Sequence, residues 1–416
     1  METNPQNREK TERLRDFVEL MEFLSIPRPN GSRAMQETAE RLKNWLEQRG
    51  IPYRIHDYRL YPYFFEAIGV WLIISRSILA LAYWQRWGWP TTIIALVALL
   101  GGTLDVAFGI PLVTWIGSVR GENILIEFES SEPEREVIFS AHYDSKTELL
   151  DHRQRYFLLK NLPTGIFLTL ALGVLAPLDR ALLDAGSPWA VHTYWAGVAL
   201  SLPLLFLAWT LGLNLSTGRL LPPSSGAVDN GTSCAIILAL AENLFHEGGQ
   251  DQGSAKAKPL SPGPSSNGAG PPTRVTLALF SGEEANMQGS RAYVRSRDWP
   301  LPAVVMNLEV MAQNGTYVYW EQDGNSLHLK PTSEPVNQAV ALAVRLVTGE
   351  PAVPGGPLNS DGGSFLLAGI PSTTLGTYHT QLKDKGFHCT NDNLERVAME
   401  RLPEGVTILE KFLSVV

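Results

Sequence analysis

Apolar and polar positions along the chain fall into two regimes. In "RAMQETAERLKNWLEQRG" the apolar residues Met35, Leu42, Trp45 and Leu46 recur at helical spacing and Gly50 stops the run, which predicts an amphipathic helix. "PYRIHDYRL" and "ENILIEFE" read as strands, and "REVIFSAHYDS", "RVTLALFSGEE" and "PAVVMNLEVMAQ" as short buried strands that exit into polar residues. "SCAIILALAENLFHE", "SEPVNQAVALAVRLVTG" and "LPEGVTILEKFLSVV" predict helices, and "GIPSTTLGTY" one more strand. This alternation predicts an α/β fold, a mostly parallel mixed sheet covered by helices on both faces.

The second regime consists of four apolar stretches, 67–84, 91–117, 163–178 and 189–213. A helix that crosses a bilayer needs about 20 apolar residues. The second stretch exceeds that with one charge, Asp105, whereas the third is short and ends at Pro177. They pair through the turns "QRWGWP" and "DRALLDAGSP", and Trp84, Trp87, Trp89, Trp115 and Trp189 cluster at their ends, where an interfacial belt would place them. We read two inserted transmembrane helical hairpins, the alternative being helices buried in one large core. Inside such a bundle Arg76 and Asp105 would face each other as an intramembrane pair. The expected boundaries are 1–62 for the first part of the α/β domain, 63–117 for hairpin 1, 118–160 for the α/β domain again, 161–214 for hairpin 2, and 215–416 for the remainder. Within the last part, 248–273 is rich in Gly, Pro and Ser and reads as a disordered loop.

Composition agrees with a lipid-embedded part, since 44% of the 416 residues are hydrophobic and only 18% charged. A net charge of -8 without a basic, aromatic-interleaved tract excludes nucleic acid as the expected partner. Two cysteines, Cys234 and Cys389, exclude a disulfide framework. The charged N-terminus lacks the apolar core of a secretory signal, so the mature chain is expected to begin near Met1. Arg49, Arg54, Arg59, Arg120, Arg135, Lys146, Arg153, Arg155, Lys160 and Arg219 outnumber Arg86 and Arg180 of the hairpin turns, which predicts a multi-pass membrane protein with its soluble part in the cytoplasm. Oligomeric state stays open.

Open parallel sheets bind ligands beyond the carboxyl ends of their strands. There the chain collects His142 and Asp144 after "VIFSA", Asp229 in "GAVDNG", Glu283 and Glu284 after "LALF", Glu309 after "VVMNL" and His388 in "GFHCTNDN". Imidazole and carboxylate suit zinc, and two ions need one bridging carboxylate. Asp229 on its Gly-flanked turn would be the bridge, with His142 and Glu309 on one ion and Glu284 and His388 on the other. Asp144 would accept the second N–H of His142 and fix its tautomer. Glu283 would act as general base, taking a proton from a metal-activated water and delivering it to a leaving amine.

At "SAHYDS", "GAVDNGTS", "FSGEEANMQGSRAYV", "VVMNLEV", "SDGGSFLLAGIP" and "FHCTNDNLE" the chain resembles the co-catalytic zinc aminopeptidases and carboxypeptidases typified by bacterial leucyl aminopeptidase and glutamate carboxypeptidase. The resemblance spans roughly 120 to 416. It implies a zinc exopeptidase, most simply an aminopeptidase, acting on a peptide substrate with His142, Asp229, Glu284, Glu309 and His388 as ligands and Glu283 as base. Three departures stand out: Glu309 replaces the usual Asp after "NL", "SDGGSF" lacks the histidine that often follows "SD" and so leaves Asp361 a structural task, and the hairpins are additions. Two zinc ions are expected, or one if the Glu309 position does not bind. The alternative reading is a single-zinc glutaminyl cyclase, to which "HYDSK", the turn before Cys234 and "GEEA" are similar. A third is a non-catalytic membrane scaffold of the same fold. Tyr317 and Tyr378 are candidate walls of the substrate pocket.

Overall fold

The computed structural model describes residues 5–129, 132–248, 271–378 and 386–416. Most of the expected disordered loop, residues 249–270, and the stretch after the candidate pocket wall Tyr378, residues 379–385, lie outside the described residues. The chain divides into an α/β unit (Met1–Pro62, Val119–Lys146, Pro223–Val416) and a helical unit (Tyr63–Ser118, Thr147–Pro222).

In the α/β unit, among the described residues, nine strands form one sheet: β1 (Arg54–Leu60), β2 (Val119–Phe128), β3 (Arg135–His142), β4 (Thr273–Phe280), β5 (Ala303–Glu309), β6 (Thr316–Asn325), β7 (His328–Pro331), β8 (Val353–Pro357) and β9 (Ser372–Tyr378). The order is β1-β2-β4-β3-β5-β9-β6-β7, with β8 beside β6. Its four central strands, β4, β3, β5 and β9, are parallel, and antiparallel pairings flank them on both sides. The centre is parallel because its strands are apolar on both faces, as in "VIFSA" and "TLALF", and only helices above and below cover such strands.

Among the described residues the α-helices are α1 (Pro5–Leu24), α2 (Arg33–Gln48), α3 (Phe64–Trp84), α4 (Trp89–Thr103), α5 (His152–Lys160), α6 (Leu162–Asp184), α7 (Trp189–Ser216), α8 (Thr232–Gly248), α9 (Gln288–Ser296), α10 (Glu334–Thr348), α11 (Asp361–Leu367) and α12 (Leu402–Val415). Adjacent residues of β3 show how the sheet is covered. Phe139 packs edge-to-face on Phe412 of α12, with ring centroids 5.8 Å apart, while Ile138 joins a cluster with Phe280, Tyr293 of α9 and Phe365 of α11 on the opposite face. In α2 the predicted apolar face is buried and Ser32 caps the first turn by accepting the Met35 amide at 3.1 Å. Elements not expected from the sequence include α1 and β6. The charge-rich N-terminus forms α1, whose Phe17, Leu20, Met21 and Leu24 are buried at helical spacing behind the charges. Tyr317, a candidate pocket wall, is buried at the start of β6, and its hydroxyl donates to Glu404 at 2.8 Å.

The helical unit contains four helical segments long and apolar enough to cross a bilayer: Phe64–Trp84, Trp89–Phe108, Arg153–Asp184 and Trp189–Ser216. Leu79, Tyr83, Ala95, Leu168, Leu172, Ala176 and Leu204 from α3, α4, α6 and α7 make their common core. The outward faces expose Trp89, Ile93, Phe167, Val174, Leu202 and Phe206, so these helices are not buried in one large core. Gly197 is required where Tyr83 crosses α7, since a Cβ there would lie 2.0 Å from the ring.

Three expectations need correction in this unit. The 91–117 stretch is not one helix: it ends at Phe108, where Gly109 takes the left-handed conformation and Pro111 follows. Helix α6 does not stop at Pro177 but runs through it to Asp184; the proline deprives the Gly173 carbonyl of its helical donor, and the Thr92 hydroxyl of α4 donates to that carbonyl at 2.6 Å instead. Arg76 and Asp105 do not pair. Asp105 accepts the amides of Leu112, Val113 and Thr114, each at 3.0 Å, and Arg76 donates to Ser75 Oγ and the Ala98 carbonyl, each at 2.8 Å. A short-range backbone turn beside Asp105 offers three donors at once, which one guanidinium further away does not displace. The packing also draws α5, read from sequence as part of the α/β domain, into the helical unit.

Candidate metal centre

The parallel register decides where the polar strand exits meet. His142, the last residue of β3, stands opposite Phe280 of β4, so the segments that follow the two strands leave the sheet side by side. Ser140 pairs with Asn307 of β5, which brings Glu309 to the same edge. The Asp229 turn lies between Gly226, where φ is +63° and a Cβ would sit 2.6 Å from Ser145, and Gly231, where a Cβ would sit 2.5 Å from the Leu24 carbonyl. These glycines let the turn close onto the strand ends, as the sequence indicated.

Asp229 is the centre of the arrangement. Its Oδ1 lies 3.3 Å from His142 Nε2, and its Oδ2 lies 3.1 Å from His388 Nε2. Glu309 Oε2 is 3.3 Å from His142 Nε2, and Glu284 Oε1 is 2.8 Å from His388 Nε2. Two groups result, His142–Asp229–Glu309 and Asp229–Glu284–His388, each with its donor atoms within 4.8 Å of one another. Glu283 reaches the same spot, with Oε2 3.8 Å from His142 Nε2. Every metal-ligand candidate read from the sequence is therefore gathered at one place, with Asp229 common to both groups.

The electrostatics asks for positive charge. Burial alone would raise Asp229, but hydrogen bonds and charges from His142 and His388 hold it below the ordinary carboxylate range. Burial pushes Glu283 well above that range; His142 opposes the shift, and Glu284, Glu309 and Asp361 add to it. Burial raises Glu309 too, against the pull of His142. Burial works against protonation of His142, yet Glu309 and Glu283 more than offset it. Among the described residues, the ion-pair partners of Asp229, Glu283, Glu284 and Glu309 are these two histidines. Neutral imidazoles and carboxylates so arranged fit zinc, the ion for which this donor set is suited.

Asp144 has a different task from the one expected. His142 Nδ1 lies 3.2 Å from the backbone carbonyl of Asp144 and 3.6 Å from its carboxylate, so the carbonyl, not the side chain, meets the ring nitrogen. The carboxylate instead accepts the Glu284 amide at 3.0 Å, the Glu283 amide at 3.3 Å and the Asn30 side-chain amide at 2.7 Å. It thereby fixes the turn that carries both glutamates. The HxD spacing could not anticipate this, because the turn after β4 is brought in by tertiary packing.

Several supporting residues escaped the sequence reading. Asn230 donates to Glu309 Oε2 at 3.0 Å, and Asn307 to Glu309 Oε1 at 3.2 Å. Asp392, pushed up to about 7 by burial and the nearby Asp229, accepts the amides of Val228 at 2.8 Å and Asp229 at 3.3 Å. Arg28 is fully buried and donates to backbone carbonyls on both sides, Tyr143 at 2.6 Å and Ser225 at 2.8 Å, tying the His142 and Asp229 loops together. Position next to Asp229 and two residues before Glu309 was the one available signal for the asparagines. Asp361 is fully buried, and among the described residues its two oxygens have no hydrogen-bond partner. Tyr378 is exposed.

Residues 214–407 match the model of Peptidase family M28. No curated protein sequence matches the chain. The structure is similar to an aminopeptidase from Aneurinibacillus sp. strain AM-1 (TM-score 0.54, 11% identity, covering 96% of this chain and 93% of that one). It is also similar to a Zn-dependent exopeptidase from Parabacteroides distasonis (TM-score 0.50, 14% identity, 95% and 94%) and to the Porphyromonas gingivalis glutaminyl cyclase (TM-score 0.51, 12% identity, 97% and 97%). At these identities the structural likeness establishes the fold.

Proposed function

Because the chain carries a Peptidase family M28 domain, we propose that it is a membrane-anchored, zinc-dependent exopeptidase, specifically an aminopeptidase. The observation that carries this reading is the division of Asp229 between two histidines, Oδ1 toward His142 and Oδ2 toward His388. One ion would be held by His142, Asp229 and Glu309, the other by Asp229, Glu284 and His388. Zinc, when bound, supplies Lewis acidity that polarises a scissile carbonyl and acidifies water. The protein's own contribution is a base at the right place. Glu283, on the turn fixed by Asp144, holds its carboxylate beside the shared ligands and moves a proton from water to the leaving amine.

The competing reading is a single-zinc glutaminyl cyclase, supported by the fold it shares with such an enzyme. The second donor group, His142–Asp229–Glu309, favours the two-ion peptidase. Zinc per chain, measured on dialysed protein in detergent, separates the two: about two equivalents fit the peptidase, one moves the weight to the cyclase, and none would leave a non-catalytic scaffold. Four apolar helices with exposed outer faces support residence in a bilayer. The excess of Arg and Lys beside the helix ends over the hairpin turns supports a cytoplasmic catalytic unit. Protease digestion of sealed, oriented vesicles tests that side.

A further inference from the structure

Glu309 replaces the aspartate of the resembling peptidases, and a longer carboxylate has one more torsion to fix before it can hold an ion. Each of its oxygens meets one carboxamide. Asn230 Nδ2 donates to Oε2 at 3.0 Å, and Asn307 Nδ2 donates to Oε1 at 3.2 Å. A carboxamide is neutral: it orients the carboxylate without compensating its charge, whereas Arg or Lys at the same place would compete with a cation.

Asn307 is itself gripped on every side. Its Oδ1 accepts the Ser140 hydroxyl of β3 at 2.7 Å, and its Nδ2 also donates to Ser360 Oγ at 3.1 Å. The hydroxyls of Ser360 and Thr374 in turn donate to the Asp323 carboxylate, Thr374 at 2.9 Å. Asp323 is anchored by the amides of Gly324 at 2.7 Å and Ser360 at 2.9 Å. Ser140, Asn307, Ser360 and Thr374 are fully buried and Asp323 is 1% exposed. Polar groups in the centre of a sheet are costly unless paired, and these are paired with one another in a line that ends at Glu309.

On the metal reading given above, we propose that Asn307 is a positioning residue that presents Glu309 to one of the two ions, held in its orientation by Ser140 and by the chain through Ser360 and Thr374 to Asp323. The ion shared by His142, Asp229 and Glu309 then depends on Asn307, and the ion shared by Asp229, Glu284 and His388 does not. Outer partners of ligating carboxylates typically change metal affinity about 10–100-fold.

The test titrates metal-free, detergent-purified full-length protein with Co²⁺, following the absorption spectrum and the heat of binding. Wild type is expected to bind two ions. Asn307→Ala should weaken one of them by about 10–100-fold and leave the other unchanged, with a changed spectrum for the weakened ion. Ser140→Ala, which leaves the Asn307 amide in place but frees its Oδ1, should weaken the same ion by a few-fold and carries the test if Asn307→Ala does not fold. A merely structural role would lower the melting temperature of the metal-free protein and leave the ratio of the two dissociation constants as in wild type. That result, with two ions bound to wild type, overturns the inference alone. Wild type that binds no Co²⁺ overturns the metal reading and the inference with it.

Discussion

Both units contain apolar runs, and they turn them in opposite directions. In the α/β unit Phe139, Ile138 and Phe280 point into cores on the two faces of the sheet and are fully buried. In the helical unit small and medium residues such as Ala95, Ala176 and Leu172 line the core, and Phe167, Val174 and Phe206 point outward. On the proposal that the helical unit lies in a bilayer, the two units meet different solvents. Water drives apolar groups together in the first, while helices in lipid gain from close packing of small residues and from hydrogen bonds between them. The pairing of Thr92 with the carbonyl freed by Pro177, and the Tyr83 hydroxyl donating to the Thr193 carbonyl at 2.8 Å, are the second kind of contact.

The comparison can be broken at four points. The largest effect is chemical and confined to the α/β unit: Glu283→Gln should leave zinc content unchanged and lower peptide turnover by about 10²–10⁴-fold, measured on terminal peptide substrates, and retained activity would remove Glu283 from the base role. Next, Phe139→Ala should cost about 3–5 kcal/mol in chemical unfolding of the protein in detergent, by emptying the contact with Phe412. Its counterpart Phe206→Ala, at an exposed position of α7, should change stability by less than about 0.5 kcal/mol. Equal losses from the two phenylalanines would show that both units bury apolar groups against the same solvent. Thr92→Val is a smaller probe of the helical unit, about 1–2 kcal/mol, because it leaves the Gly173 carbonyl without the donor that replaces the one lost at Pro177.

A further effect depends on pH. Burial pushes Asp323 up to about 7, so the folded chain keeps its proton where the unfolded chain has lost it. The group's contribution to stability is full below its unfolded pKa near 3.8, falls as pH rises from there, and is lost by about pH 7. Asp323→Asn cannot ionise and escapes this loss. Its melting temperature relative to wild type should therefore rise between pH 5 and pH 8, and a constant difference would place the raised proton affinity elsewhere.

Read as a sequence, the chain already determined its fold class, its four apolar helices and the seven residues of the candidate centre. Strand periodicity marks buried strands, and polar residues at their exits can only collect at the carboxyl edge of a parallel sheet. Helix length is also local, since Gly109 and Pro111 end one helix, whereas the passage of another through Pro177 rests on a neighbour, Thr92. The tertiary structure alone decided how those residues are held. Asp144 serves the Glu283–Glu284 turn instead of the His142 ring, Arg76 and Asp105 find separate partners, and Asn230 and Asn307 take the two oxygens of Glu309. The physical reason is common to all three. Hydrogen bonds act within about 3 Å, and the choice among competing donors, whether near or far in sequence, is made only when the folded backbone brings one of them into reach.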